Sequence, residues 1–222
     1  MPVGPVEQDA FLQQFIADCR RAADVNTPPA ELAALAWSHH LDVRRAVAVN
    51  ASTPTDALHD LATMPSEYNR IQADVASNPS ATEKTLTYLC GSKDWQVRLR
   101  LTSHPNLPLK VAMKLARDKV WTIQTTLAKN QKLPAKVYEK LAGSADVHTR
   151  RTLASNPSAP ATVFALLATD CIEDVRNCVA QNPSCPPLVK MWLTSDYNQS
   201  MTLEEFLGAA GDNHGSDIPF TT

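Results

Sequence analysis

The chain repeats itself about every 26 residues, and that period restricts its architecture more than any other feature. Asn50, Asn78, His104, Asn130, Asn156 and Asn182 close equivalent phrases spaced 28, 26, 26, 26 and 26 residues apart, and Asp24 stands 26 residues before Asn50. Ahead of these anchors come Val43-Arg44-x-x-Val47-Ala48, Val97-Arg98-x-x-Leu101, Ile123-Gln124-x-x-Leu127-Ala128 and Val175-Arg176-x-x-Val179-Ala180. Behind them come Asn78-Pro79-Ser80, Asn156-Pro157-Ser158 and Asn182-Pro183-Ser184. A fixed period of this length marks a stack of small supersecondary units, none able to bury its apolar face alone.

One repeat reads as two short helices. Asn tolerates the left-handed backbone that often ends a helix, and a following proline stops it, so the anchor is expected as a helix terminus. Two residues on, Asn26, Ser52, Ser80, Asn106, Lys132, Ser158 and Ser184 read as an N-cap column, with Ser80 and Glu83 at capping-box spacing. Pro28, Pro54, Pro108, Pro134, Pro160 and Pro186 then fall in the first turn, where a missing N–H costs little. The first helix carries apolar pairs three apart, among them Leu58/Leu61, Tyr138/Leu141 and Phe164/Leu167. A link often containing Asp leads to the Val-Arg-x-x-Val-Ala helix, and the two extra residues of the second repeat belong in its link, Thr63–Arg70.

These phrases resemble the variant leucine-rich repeat family, over roughly residues 24–194. The resemblance implies an all-α fold: a right-handed α-solenoid of about seven two-helix repeats of ~26 residues, without β-strands. The repeats are longer than the family's usual unit, which leans toward the related HEAT-like solenoids. Some family members carry an N-terminal cysteine cluster that holds an iron–sulfur centre. This chain has only Cys19 before Cys90, so that centre is not carried over and no cofactor is expected. Residues 1–23 are expected as a capping helix with Phe11, Leu12, Phe15 and Ile16 on its apolar face. Residues 195–222 are expected as an acidic tail with one short helix, opened by a capping box between Thr202 and Glu205; from Gly208 onward the tail is expected to be mobile.

Charge is distributed in blocks. Residues 1–92 hold 6 basic and 11 acidic side chains, residues 93–151 hold 13 and 4, and residues 195–222 hold five acids and no Lys or Arg. Opposite charge of this density is expected to draw the tail toward the central repeats, with Phe206, Leu207 and Phe220 adding apolar contacts. The absence of a long apolar run argues against a membrane span. The N-terminus has no basic start followed by an apolar stretch, and the five cysteines are scattered, so a cytoplasmic protein with reduced thiols is expected.

No phosphate-cradling glycine loop and no His-Glu-x-x-His occurs. His39 and His40 are adjacent, so their rings diverge on a helix and read as surface residues. Cys171, Cys178 and Cys185 are evenly spaced, yet their repeat phases put them in a link, a helix and a turn, and no metal role is expected. The column Arg44, Gln72, Arg98, Gln124, Arg150 and Arg176 reads either as an inter-repeat ladder or as a row of cations on an inner surface. Arg45, Arg100, Lys129 and Arg151 lie off the buried face of the second helix and suit an open surface. Trp95 and Trp121 share a repeat phase beside the basic stretch; they either fill gaps between helices or grip a ligand.

The leading functional reading is a non-enzymatic scaffold that binds a macromolecular partner, a protein, through Trp95, Arg98, Arg100, Trp121, Lys129, Arg150 and Arg151. The alternative is a nucleic-acid-binding solenoid using the basic repeats 93–151; an enzyme ranks third. The repeat register itself is testable. Leu167→Ala should cost about 2–5 kcal/mol, as large-to-small core changes do. A variant that melts within about a degree of the parent, against the several degrees such a loss predicts, contradicts the register.

Overall fold

The computed structural model describes residues 5–65 and 68–212. All regular structure among them is helical, with no strand. Two compact units divide the chain, Met1–Leu115 and Ala116–Thr222. The first contains α1 (Pro5–Ala23), α2 (Pro29–Leu35), α3 (Leu41–Val49), α4 (Thr55–Thr63), α5 (Asn69–Ser77), α6 (Glu83–Leu89), α7 (Trp95–Leu101) and α8 (Leu109–Leu115). The second contains α9 (Trp121–Ala128), α10 (Ala135–Ala142), α11 (Val147–Ala154), α12 (Ala161–Ala168), α13 (Glu173–Gln181), α14 (Pro187–Thr194), α15 (Tyr197–Ser200) and α16 (Leu203–Asp212).

Within each unit the helices form two rows. In the first unit α1, α3, α5 and α7 pack in succession, while α4 packs on α6 and α6 on α8. In the second unit α9, α11 and α13 form one row and α10, α12 and α14 the other, with α16 against α14. The apolar spacing explains the rows. Leu58, Leu61, Leu86, Leu89, Tyr138, Leu141, Phe164 and Leu167 are buried on the first helices of their repeats. Val43, Val47, Val97, Leu101, Ile123, Leu127, Val175 and Val179 are fully buried on the second helices. Area removed from water at these positions is the main force joining neighbouring repeats.

The anchors work differently from the sequence reading. Asn50, Asn78 and Asn182 have φ of −71°, −76° and −70° with ψ near 120°, an extended backbone and not a left-handed one. Their value lies in the side chain, which is buried. Asn156 Nδ2 donates to the carbonyls of Ala128 (2.8 Å) and Asn130 (3.1 Å) in the preceding repeat, and its Oδ1 accepts from Ser158 N–H (2.8 Å). Asn182 repeats the pattern onto Ala154, Asn156 and Ser184. Asn50 and Asn78 do the same in the first unit. His104 substitutes an imidazole: Nε2 donates to Asn78 O (2.9 Å) and Nδ1 accepts from Asn106 N–H (3.2 Å).

The expected N-cap column is therefore the second residue of a turn closed by the anchor, and its hydroxyls reach backward. Ser52 Oγ donates to Val25 O and Ser80 Oγ to Ala51 O, so the Ser80–Glu83 capping box does not form; Thr82 caps α6 instead. The prolines stand one step earlier than expected. Pro28, Pro54, Pro134, Pro160 and Pro186 are themselves the N-cap residues, with ψ between 138° and 158°, outside the helical well. Their ring-fixed φ suits this extended position as readily as a first turn.

The ends also carry corrections. On α1, Phe11 and Leu12 are 64% and 50% exposed, so the expected apolar face is only half used, by Phe15 and Ile16. At the other end Thr202 and Glu205 form the expected capping box, with Thr202 N–H to Glu205 Oε2 at 2.7 Å and Glu205 N–H to Thr202 Oγ1 at 3.2 Å. Two helices occupy this segment, not one, and α16 continues past Gly208 to Asp212 because Leu203 and Phe206 are buried. Phe220 lies outside the described residues.

The anchor geometry makes a sharp prediction. Asn156→Ala removes the bonds and should cost on the order of 2 kcal/mol. Asn156→Asp should cost more, because a carboxylate oxygen then faces two carbonyls where a donor stood. Urea unfolding at neutral pH measures both, and an Asp variant as stable as the parent contradicts the ladder.

Candidate partner-binding groove

The second helices expose a face opposite their buried Val/Leu stripe. On α9 that face is Trp121 and Thr125, four residues apart, continued by Lys129 at the helix C-cap. On α11 it is His148, Arg151 and Thr152. Between these ridges lies a groove of about 580 Å³, whose lining also includes Cys178 of α13. Trp121 is 57% exposed, and its ring centroid lies 6.2 Å from that of His148 at a tilt of 39°. The groove thus joins three of the residues expected at a binding surface, Trp121, Lys129 and Arg151.

A polar stitch beneath the groove fixes its two walls. Thr125 Oγ1 lies 2.9 Å from Thr149 Oγ1, and Thr149 is fully buried. Asp146 caps α11, accepting from Thr149 N–H and Thr149 Oγ1, each at 2.7 Å. Burial acts to raise the Asp146 pKa, but the Thr149 hydroxyl and amide donors outweigh it and hold the carboxyl below its ordinary value. Sequence reasoning missed His148, Thr149 and Asp146 as parts of this site. The signal lay in the register: His148 and Thr152 are four apart, on the same side as Arg151.

Arg150 and Arg151 are neighbours with opposite fates. Arg150 Nη1 donates to Ser144 O at 2.8 Å, and its Nε and Nη2 meet Asp170 at 2.6 and 3.2 Å. The side chains of this pair are only 12% and 6% exposed. Arg150 therefore holds α11 to the next link and is not among the groove's lining residues. Arg151 is exposed and reaches Asp174 only at 3.7 Å.

The same division runs through the rest of the column. Arg98 Nη1 donates to Ser92 O (2.7 Å), Gln124 Nε2 to Asp118 O (2.7 Å) and Arg176 Nη1 to Asp170 O (2.7 Å), each six residues back. Gln72 makes the equivalent bond to Met64 O across eight residues, which puts the two extra residues of that repeat in its link. The column so joins each second helix to its own link, and Arg150 adds an inter-repeat pair. Arg44 departs from it: its guanidinium sits 4.5 Å above the Tyr68 ring, and among the described residues its Nε has no hydrogen-bond partner.

The remaining expected residues belong to the first unit. Trp95 opens α7 and is 43% exposed, and Arg100 is exposed on the last turn of the same helix. Asp94 caps α7 by accepting from Gln96 N–H at 2.8 Å. Among the described residues no group of three or more His, Cys, Asp or Glu side chains is placed to hold a metal ion. No helix among them is long and apolar enough to cross a membrane.

Folding lowers the Asp170 pKa: burial alone would raise it, but the Arg150 guanidinium and the Ile172 N–H outweigh that effect. The pair therefore stabilises the fold above the ordinary carboxyl value of 3.8, and the contribution fades as pH falls through and below it. Asp170→Asn should cost on the order of 3 kcal/mol at neutral pH by stranding Arg150. Thermal melts should show the gap between parent and variant narrowing toward about pH 3, and a gap independent of pH contradicts the assignment. Among known proteins, no family model matches the chain and no curated protein matches it.

Proposed function

We propose that this chain is a non-enzymatic, right-handed α-solenoid of about seven two-helix repeats that holds a protein partner on the exposed face of its second helices. We further place it with the variant leucine-rich repeat family and its HEAT-like relatives, acting in the cytoplasm. The observation that carries the binding role is the Trp121 groove, where a largely exposed indole stands among Lys129, His148 and Arg151, with the Thr125–Thr149 hydrogen bond joining the two helices. Trp and Arg dominate binding energetics when they stand in a pocket whose partner can exclude water. Repeat arrays use extended surfaces of this kind for recognition.

Nucleic acid fits the groove less well. A backbone-tracking surface needs a run of cations along the strand. Here Arg150 is consumed by Asp170, and Lys136 and Lys140 lie on α10, outside the groove. Affinity capture from the native host with parent and Trp121→Ala/Arg151→Glu protein should yield polypeptides retained by the parent alone and unaffected by nuclease. Capture abolished by nuclease, or identical for both proteins, overturns the reading.

A further inference from the structure

The two arginines of α11 contain more information than their shared charge. Arg150 has its guanidinium engaged by two bonds to Asp170 and by the carbonyls of Ser144 and, at 3.4 Å, Ala145. Arg151 has five N–H donors in a planar fork and meets Asp174 at 3.7 Å, beyond the roughly 2.7–2.9 Å of a charge-assisted hydrogen bond. The side chains of that loose pair are 45% and 67% exposed, so water screens the contact and it contributes little. Arg151 thus keeps a guanidinium fork of the kind that matches a carboxylate, beside an acid too distant to saturate it. Lys129 adds a second cation to the same groove and, among the described residues, makes no ion pair. Trp121 adds apolar surface, and Thr152 and Gln131 add hydrogen-bonding groups suited to a peptide backbone.

Building on the protein-binding role proposed above, we propose that the groove takes an acidic peptide segment. A carboxylate of that segment engages Arg151 and Lys129, and an apolar side chain a few residues away packs on Trp121. Asp174 is a weak competitor with the incoming carboxylate for Arg151 and lowers the affinity modestly. A basic segment gains nothing from the two cations, and a purely acidic one leaves the indole uncovered. Both terms together define the ligand.

Fluorescence anisotropy on the full chain at low salt tests this with labelled synthetic probes of equal length. The probes are an acid-rich peptide with one Phe, the same peptide with Ser for Phe, a Lys-rich peptide with Phe, and oligothymidine. The acidic Phe peptide should bind best, and replacing Phe by Ser should weaken it about tenfold, equivalent to about 1.4 kcal/mol. Trp121→Ala should produce the same loss for the Phe peptide and little further loss for the Ser peptide. Arg151→Gln should weaken both acidic peptides, while Lys140→Gln on α10 should leave them unchanged. Asp174→Asn should strengthen acidic binding several-fold, and that gain should vanish in the Arg151→Gln background.

A gain that persists without Arg151 shows a general charge effect and overturns the competition. Equal, Trp121-dependent binding of the Lys-rich peptide overturns the acidic ligand while leaving a protein-binding groove. Binding of oligothymidine alone overturns both. Circular dichroism melts on each variant separate lost binding from lost folding.

Discussion

A carboxamide buried between two repeats must find partners for both donors and for its acceptor. In this fold it finds all of them at once. Asn156 spends its two N–H groups on the preceding repeat and its oxygen on its own turn. The carbonyls that receive those N–H groups lie where one helix has just ended, and so lack helical partners of their own. Hydrophobic contact between the rows is tolerant of sliding, whereas these bonds hold only at one offset. The anchor thus supplies what the apolar stripe lacks, a fixed register from one repeat to the next.

On this framework the second helices have a divided duty. The residue after the first buried Val or Ile turns back to staple its own link, as in Arg98, Gln124 and Arg176. The residue after that has no fixed duty: Arg151 is left at the surface, whereas Arg45, also expected on an open surface, pairs with Asp74 at 2.8 Å. On α11 a one-residue shift separates a structural guanidinium from an exposed one, and total charge over the segment says little about what a partner meets. The Thr125–Thr149–Asp146 stitch does comparable work under the groove, because a wall that moved would blur the spacing between indole and cation.

The period, the two-helix repeat and the buried pairs were legible in the sequence because each depends on local spacing, which survives without coordinates. The capping box at Thr202 and the position of the second repeat's extra residues were legible for the same reason. The role of the anchor was not. A helix-ending Asn has one local explanation, the left-handed backbone, and its actual partners lie 26 and 28 residues away. The same distance concealed Asp170 as the partner of Arg150, 20 residues on. The groove was half legible: exposed Trp121, Lys129 and Arg151 could be read from phase, but their company with His148 and Cys178 needed neighbouring helices side by side.

The anchor bonds also give the array a direction. The carbonyls of Asn50, Asn78 and Asn156 each accept a local N–H three residues on, as Asn156 O does from Ala159, and then a second bond from the next anchor's side chain. Every inter-repeat donor of this ladder thus points toward the N-terminus. A repeat added at the C-terminal side finds an acceptor with a lone pair to spare, and one removed there leaves only a carbonyl that water can satisfy. Removing a repeat from the other side leaves the complementary end, an amide whose two N–H groups open to water. Two repeats therefore join in one orientation only, with the amide end of one meeting the carbonyl end of the other.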